Sequence, residues 1–320
     1  MSVPSISVIV PSFNAARWIG EALESVLAQG IRDLQVLVVD DGSNDSTVAI
    51  AKSFDGVTVV PVDHGGPSRA RNIGTQLSTG AFVQYLDADD LLAPGKLERQ
   101  RHVLEQTGAD VAYGDWRRTM LQPDGSWLEV EVVRRTIDGD PEIALLSDFW
   151  CPPAAYLFRR AIVAQVREWN ESLPIIQDAR FVLDCALCGG RFAYCDGMMA
   201  DYRIHSQQSV SRGNPTAFYV DCLRNGEQVE EWWRHHGGLT AERLDALTGL
   251  YNHVARVNYG RDDALFEQAY SALKRLHPGR IPGNSRAISL LSGLIGYKGA
   301  EALAYRYRAA RANLSAALKS

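Results

Sequence analysis

Short apolar runs alternate with amphipathic stretches through the first part of the chain. Ile6 to Val10, Leu34 to Val39, Val57 to Val60, Phe82 to Leu86 and Val111 to Tyr113 have the length and β-branched or aromatic content of strands. Between them, Ala16 to Ala28, Ser46 to Lys52, Pro67 to Leu77 and Pro94 to Glu105 fit helices. In the third of these, Ala70, Ile73, Gly74 and Leu77 recur at helical spacing while Arg69, Asn72 and Gln76 occupy another face. Strands alternating with helices predict an α/β fold on a mostly parallel central sheet flanked by helices.

From Tyr113 to about Arg167 the pattern is less regular, and Gln122-Pro-Asp-Gly125 has the composition of a turn joining a hairpin. Beyond Asn214-Pro215 the strand signals stop, and helical segments punctuated by Gly and Pro run to the end. The expected organisation is one domain over 1–214 and a C-terminal helical appendage over 215–320. From Ser285 onward, Arg286, Lys298, Arg306, Arg308, Arg311 and Lys319 stand against the single acid Glu301, alongside Ile288, Leu290, Leu291, Leu294 and Ile295. That tail reads two ways. It is a basic amphipathic surface for peripheral contact with anionic lipid, or a helix packed on the first domain with a solvated charged face.

Composition narrows the classes. A chain of 320 residues with 46% hydrophobic and 22% charged content can bury a sizeable core. The formal charge of -5 speaks against a nucleic-acid partner, which selects a basic domain or stripe. The first residues, Met1-Ser-Val-Pro-Ser-Ile-Ser-Val-Ile-Val, lack the basic region and cleavage site of a secretory signal, so a cytoplasmic location is expected. No apolar stretch approaches the ~20 residues of a membrane-spanning helix. Cys185-Ala-Leu-Cys188 has the spacing of a redox or zinc pair, but it lies in the apolar helical segment Phe181 to Cys188 without a second pair, and reads as packing.

Candidate chemistry gathers at strand ends. Gln84-Tyr-Leu-Asp87-Ala88-Asp89-Asp90 is an apolar strand ending in acids; two residues apart on a strand, Asp87 and Asp89 share a face. Oxygen ligands there suit magnesium or manganese, which can neutralise a departing diphosphate. Asp90 either joins them or sits in the turn before Leu91. Val36-Leu-Val-Val-Asp40-Asp41-Gly42-Ser43-Asn44-Asp45-Ser46-Thr47 runs from a strand into a polar turn, which places Asp40 where ligands bind in open parallel sheets. Its carboxylate can accept from a pyrimidine N–H or a ribose hydroxyl; Gly42 makes the turn, and Asp45 or Ser46 caps the helix. Pro11-Ser-Phe13-Asn14 closes the first strand and can frame a base, or serve any strand-to-helix turn. His64-Gly-Gly-Pro-Ser-Arg69-Ala-Arg71-Asn-Ile-Gly74 brings two arginines to a helix start, where anionic phosphate is favoured, and Arg71 is the preferred donor contact.

Together, Pro11 to Asn14, Val39 to Ser46, Ser68 to Gly74 and Leu86 to Asp90, in this order, resemble a family 2 glycosyltransferase of the GT-A fold. The resemblance covers about the first two thirds of the chain. It implies an inverting enzyme that moves a sugar from a nucleotide diphosphate donor, UDP or dTDP, to a saccharide or lipid-linked acceptor in cell-surface polysaccharide or glycolipid assembly. It further implies a divalent metal, Mn or Mg, and donor contacts from Pro11, Phe13, Asn14, Asp40, Arg71, Asp87 and Ala88, with Asp89 as a metal ligand.

Two later segments gain roles from the same resemblance. Ile175-Ile-Gln177-Asp178-Ala-Arg-Phe181 is similar to the family's acidic motif, which makes Asp178 the catalytic base; Gln177 stands where that family usually has glutamate. From the residues alone, Asp178 reads as a helix cap. Tyr202-Arg203-Ile204-His205-Ser206-Gln-Gln-Ser209-Val-Ser211 resembles a motif that closes over the nucleotide diphosphate, with His205 as a second metal ligand. Glu231-Trp-Trp-Arg-His235-His236 has no such frame and reads as a packed aromatic helix ending near Gly237. Two rival functions are a nucleotidyltransferase, whose glycine-rich, lysine-bearing loop is not matched by Pro11 to Trp18, and a non-catalytic nucleotide-sugar binder.

Overall fold

The computed structural model describes residues 5–205, 215–283 and 285–317. Contacts divide the chain into two compact units, Met1–Ser209 and Val210–Ser320.

The first unit opens with β1 (Ile6–Ser12), buried along its whole length, as expected of a central strand covered on both faces. It continues through α1 (Ile19–Leu27), β2 (Leu34–Asp40), α2 (Thr47–Lys52), β3 (Val57–Pro61), α3 (Pro67–Leu77) and β4 (Phe82–Tyr85). Then come β5 (Leu91–Leu92), α4 (Lys96–Thr107), β6 (Val111–Leu121), β7 (Trp127–Val133), α5 (Pro141–Ser147), β8 (Tyr156–Arg159), α6 (Arg160–Val166), α7 (Gln177–Leu187) and β9 (Phe192–Ile204). One sheet runs in the order β3-β2-β1-β4-β8-β6-β9-β5, with β7 paired to β6. β3, β2, β1 and β4 are parallel neighbours; beyond β4 the sheet is mixed, antiparallel at β8 and β5 and parallel again between β6 and β9. The fold is therefore α/β, with its parallel half exactly where strand and helix patterns alternate in the sequence.

Local chemistry sets the helix boundaries. α1 buries Ile19, Ala22, Leu23 and Val26, a stripe at 3.6 periodicity. It starts three residues later than the pattern alone predicts, because the backbone N–H groups of Ala15 and Ala16 are drawn to Thr47 Oγ1 and Asp45 Oδ2. α4 likewise begins at Lys96 rather than Pro94, since Gly95 sits in the left-handed region at φ 67°. α3 spans the predicted Pro67 to Leu77, with Pro67 in its first turn after Gly66 at φ 92°. Gly74 lets α3 lie against the sheet, for a Cβ there would come within 2.4 Å of Ile9 Cγ2. Below the site, Tyr85, Phe158, Trp169 and Phe181 form one aromatic cluster, with Trp169 and Phe181 stacked at 4.3 Å.

The second unit is helical in its described residues: α8 (Pro215–His235), α9 (Ala241–Asn258), α10 (Asp263–Leu276) and α11 (Arg286–Ala317), the last broken at Gly296. Its core gathers Val229, Trp233, Leu247, Tyr251, Val254 and Leu273. Glu230 is buried within it, bound by Arg275, Arg234 and Tyr251. His235 and His236 of the aromatic helix end donate from Nδ1 to the Glu231 and Trp232 carbonyls of their own helix. Among the described residues no helix is long and apolar enough to cross a membrane.

Candidate active site

The parallel strands β1, β2 and β4 are neighbours, so their carboxyl ends lie side by side, the place where open α/β sheets bind ligands. At the end of β2, Asp40 is 2% exposed and accepts from the Ser43 N–H at 3.0 Å and the Ser12 hydroxyl at 3.4 Å. Its neighbour Asp41 does different work. Its carboxylate receives the N–H groups of Gly65 and Gly66, both at 2.8 Å, and lies 2.9 Å from His64 Nδ1, so it fastens the glycine turn ahead of α3. Asp45 holds the start of α2 through Thr47 and also the Ala16 N–H; these hydrogen bonds outweigh burial and keep its carboxyl below the usual range.

Pro11 is a buried residue of β1 paired with Val39 of β2, and just beyond the strand Phe13 is exposed and tilted against the His64 ring at 4.4 Å. Asn14 takes a positive φ of 49°, which asparagine tolerates, and locks its turn to that of β2: its N–H reaches Ser43 Oγ and its side chain accepts from the Asn44 N–H. The two polar turns that the sequence offered separately are thus one hydrogen-bonded rim.

The acidic segment after β4 bends at once, with the Asp90 N–H bonded to the Asp87 carbonyl. Asp87 and Asp89 are partly exposed, while Ala88 and Asp90 are buried. Burial raises the Asp87 carboxyl, an effect that Asp89 and Asp178 reinforce and Arg71 opposes. Asp90 lies outside the open site. Its Oδ1 accepts the Arg203 N–H at 2.9 Å, Oδ2 is buried without a partner, and burial followed by the charges of Asp89 and Asp87 drives it well above an ordinary carboxyl. Arg203, itself buried, ties this loop down through the Asp89 carbonyl and an ion pair with Glu21 of α1.

Asp89 Oδ2 and His205 Nε2 stand 2.9 Å apart, and the imidazole lies tilted against Trp18 with ring centroids 4.3 Å apart. Among the described residues, no group of three or more His, Cys, Asp or Glu side chains converges as a metal cage. The pair offers one carboxylate oxygen and one imidazole nitrogen, which share a hydrogen bond with each other here. The rest of the Tyr202 to Ser211 motif, from Ser206, lies outside the described residues.

Arg71 is 3% exposed: Nη1 donates to Gln177 Oε1 at 2.9 Å, Nη2 pairs with Asp87 Oδ1, the plane lies 4.4 Å over Trp169, and Nε is buried without a hydrogen-bond partner. Gln177 Oε1 also accepts from Ser68, so one uncharged amide oxygen joins α3 to the start of α7. One residue on, Asp178 accepts the Trp150 indole N–H at 2.8 Å. Trp150 packs edge-on against Trp116 and Tyr202. The Tyr202 hydroxyl is pushed up to about 12 by burial and by the surrounding carboxylates, Asp178 and Asp87 among them.

The structure thus brings Asp40, Asp87, Asp89, His205 and Asp178 to one end of the sheet. Trp150, Trp18 and Arg203 were not assigned roles from sequence. No periodicity or acidic spacing marks them, since each acts through a partner distant in the chain. Cys185 is buried and Cys188 partly so, both free thiols.

Residues 7–165 match the family model described as Glycosyl transferase family 2. The chain is similar to the uncharacterized glycosyltransferase EpsJ of Bacillus subtilis (strain 168), at 30% identity over 78% of this chain and 76% of that protein. It is also similar to the succinoglycan biosynthesis protein ExoO of Rhizobium meliloti (strain 1021), at 29% identity over 66% of this chain and 63% of ExoO. It spans only 33% of the length of the uncharacterized glycosyltransferases of Rickettsia typhi and Rickettsia prowazekii that it matches. Among solved structures, S. aureus TarS 1-349 in complex with UDP-GlcNAc shares the fold, with a TM-score of 0.56 at 17% identity over 85% of this chain and 92% of TarS 1-349. The chain belongs to glycosyl transferase family 2.

Proposed function

We propose that this chain is an inverting glycosyltransferase that moves a sugar from a UDP or dTDP donor to a hydroxyl of a saccharide or lipid-linked acceptor, in cell-surface polysaccharide or glycolipid assembly in the cytoplasm. The observation that carries this reading is the chain of contacts from Asp87 through Arg71 to Gln177, which couples the acidic strand end to the helix start bearing Asp178. The UDP-GlcNAc held by the similarly folded TarS and the succinoglycan role in the name of ExoO support a pyrimidine sugar donor and a polysaccharide context. We assign the catalytic domain to 1–214 and the helical appendage to 215–320.

In this reading Pro11, Phe13 and Asn14 frame the base, and Asp40 accepts from its N–H or from the ribose. Asp87 and the backbone at Ala88 orient the donor. Arg71, enclosed by Gln177, Trp169 and Asp87, serves the donor by fixing Asp87 rather than by reaching the phosphates. Asp89 and His205 would hold a divalent cation, Mn or Mg, whose charge offsets that of the leaving diphosphate. Asp178 takes the proton of the acceptor hydroxyl as its oxygen attacks the anomeric carbon. The bond from that carbon to the diphosphate oxygen breaks, its electrons leave with the diphosphate, and the configuration inverts. Asp178 stands within electrostatic reach of Asp87, which supports a catalyst over a passive binder.

The test is calorimetry with UDP, dTDP and GDP, with and without manganese, on the native chain and on Asp89→Ala. Metal-enhanced pyrimidine diphosphate binding that weakens in the variant is expected. Absence of binding to any nucleotide diphosphate under both conditions would overturn the reading.

A further inference from the structure

The helix α11 carries two faces of opposite character. Inward, the Ser292 hydroxyl donates to the Ile281 carbonyl at 2.7 Å, the Tyr297 hydroxyl donates to Asn252 Oδ1 at 2.8 Å, and Ala300 and Glu301 are buried. Tyr297 also stacks on Tyr270 of α10. The inner face is thus satisfied by the helical unit itself. Leu290, Leu294, Ile295, Leu303, Tyr305 and Tyr307 are nonetheless exposed, Leu294 showing 82% of its surface, with the Tyr305 ring also packed at 5.6 Å from Tyr259. These six equal in number the large exposed apolar side chains found on all other described elements together. Such a concentration on one element marks an interaction surface.

Charge says what that surface meets. Arg286, Arg306 and Arg311 are exposed along the same helix. The one acid between Ser285 and the end of the chain is Glu301, and it is 1% exposed, turned inward beside Arg308 at 3.7 Å. Glu267 of α10 neutralises Lys298, while among the described residues no carboxylate pairs with Arg286, Arg306 or Arg311. A second copy of the chain would bring arginines against arginines, whereas an anionic bilayer offers acyl chains to the leucines, an interfacial layer to the tyrosines and negative headgroups to the arginines. The break at Gly296, φ 76° and ψ 161°, follows directly on Leu294 and Ile295, so the apolar side chains stand at a corner of the helix rather than along a smooth cylinder.

We propose that the outer face of α11, centred on Leu290, Leu294 and Ile295 and flanked by Arg286 and Arg306, docks the chain on an anionic lipid surface. This does not depend on the transfer reaction, and its test uses no nucleotide sugar. The full chain is floated with vesicles of phosphatidylcholine alone and of phosphatidylcholine with phosphatidylglycerol, at low and high salt. Binding is expected only to the anionic vesicles, weakened by salt and by about fivefold for each of Arg286→Ala and Arg306→Ala. The pair Leu290→Ser and Leu294→Ser should release the chain while its circular dichroism stays unchanged, as both side chains are exposed. Failure of the native chain to float with anionic vesicles, or flotation indifferent to these substitutions, overturns the proposal. So does concentration-dependent self-association that the leucine substitutions abolish.

Discussion

Trp150 donates its indole N–H to Asp178 Oδ2 at 2.8 Å, and it does so from between the edges of Trp116 and Tyr202. Ring packing on two sides fixes the indole, and the fixed indole sets the direction in which the carboxylate points. Trp150→Phe keeps most of the packing and removes the donor. If Asp178 is the base, kcat should fall about tenfold, in keeping with one hydrogen bond to a charged group and the sensitivity of proton transfer to orientation. Nucleotide diphosphate affinity measured by calorimetry should stay unchanged. A variant with full kcat would mean that the contact merely fills space.

Arg71→Lys tests the connection from the donor acids to α7. Lysine cannot reach Gln177 and Asp87 together while lying flat on Trp169, so the substitution breaks a buried bridge and leaves the Gln177 oxygen with Ser68 alone. A drop in kcat/KM of about a hundredfold, close to 3 kcal/mol, is expected together with a lower melting temperature. A normal kcat/KM would detach Asp87 from the reaction.

Much of this site is legible in the sequence because strand ends announce themselves. β1, β2 and β4 are apolar runs that stop at Ser12, Asp40 and Tyr85, and polar candidates such as Asp40, Asp87 and Asp89 stand at or just beyond those ends. The distal half resists such reading. β5 has two residues, β8 four, and β9 alternates too irregularly to show a period, since bulges at Gly114 and Asp115 shift its pairing with β6. Contacts such as Trp18 on His205, or Glu21 on Arg203, join positions more than 180 residues apart and follow only from the completed sheet. Asp90 illustrates the limit within a motif: one peptide from Asp89, it is folded inward to hold β9, which spacing alone left open.

Gly114 carries the junction that aims β9 at the site. A Cβ there would stand 2.3 Å from the Cys195 carbonyl oxygen and 2.7 Å from Met199 Cγ, and the first of these is backbone that cannot swing aside. Gly114→Ala should therefore destabilise the chain by about 3 kcal/mol in denaturant melts. Because the displaced strand leads to Arg203 and His205, the folded fraction should also bind nucleotide diphosphate less tightly. Wild-type stability in the variant would show that β6 and β9 can part at this point without loss.

Acid stability of the helical unit turns on Glu230. Burial pushes this carboxyl up, but hydrogen bonds from Arg275, Arg234 and Tyr251 outweigh it, and the net shift is downward from the ordinary 4.5. A carboxyl held below its unfolded value stabilises the fold wherever it is ionised in both states, and that stabilisation fades as pH falls below 4.5 through the lower folded value. Glu230→Gln removes the charge at every pH. At neutrality the variant should be less stable by about 2 kcal/mol, since two half-exposed arginines lose their buried partner. On acidification the native chain loses the same contribution, so the two melting curves should converge. A gap that stays constant from neutrality into acid would show that the ionisation of Glu230 contributes nothing and that only its packing matters.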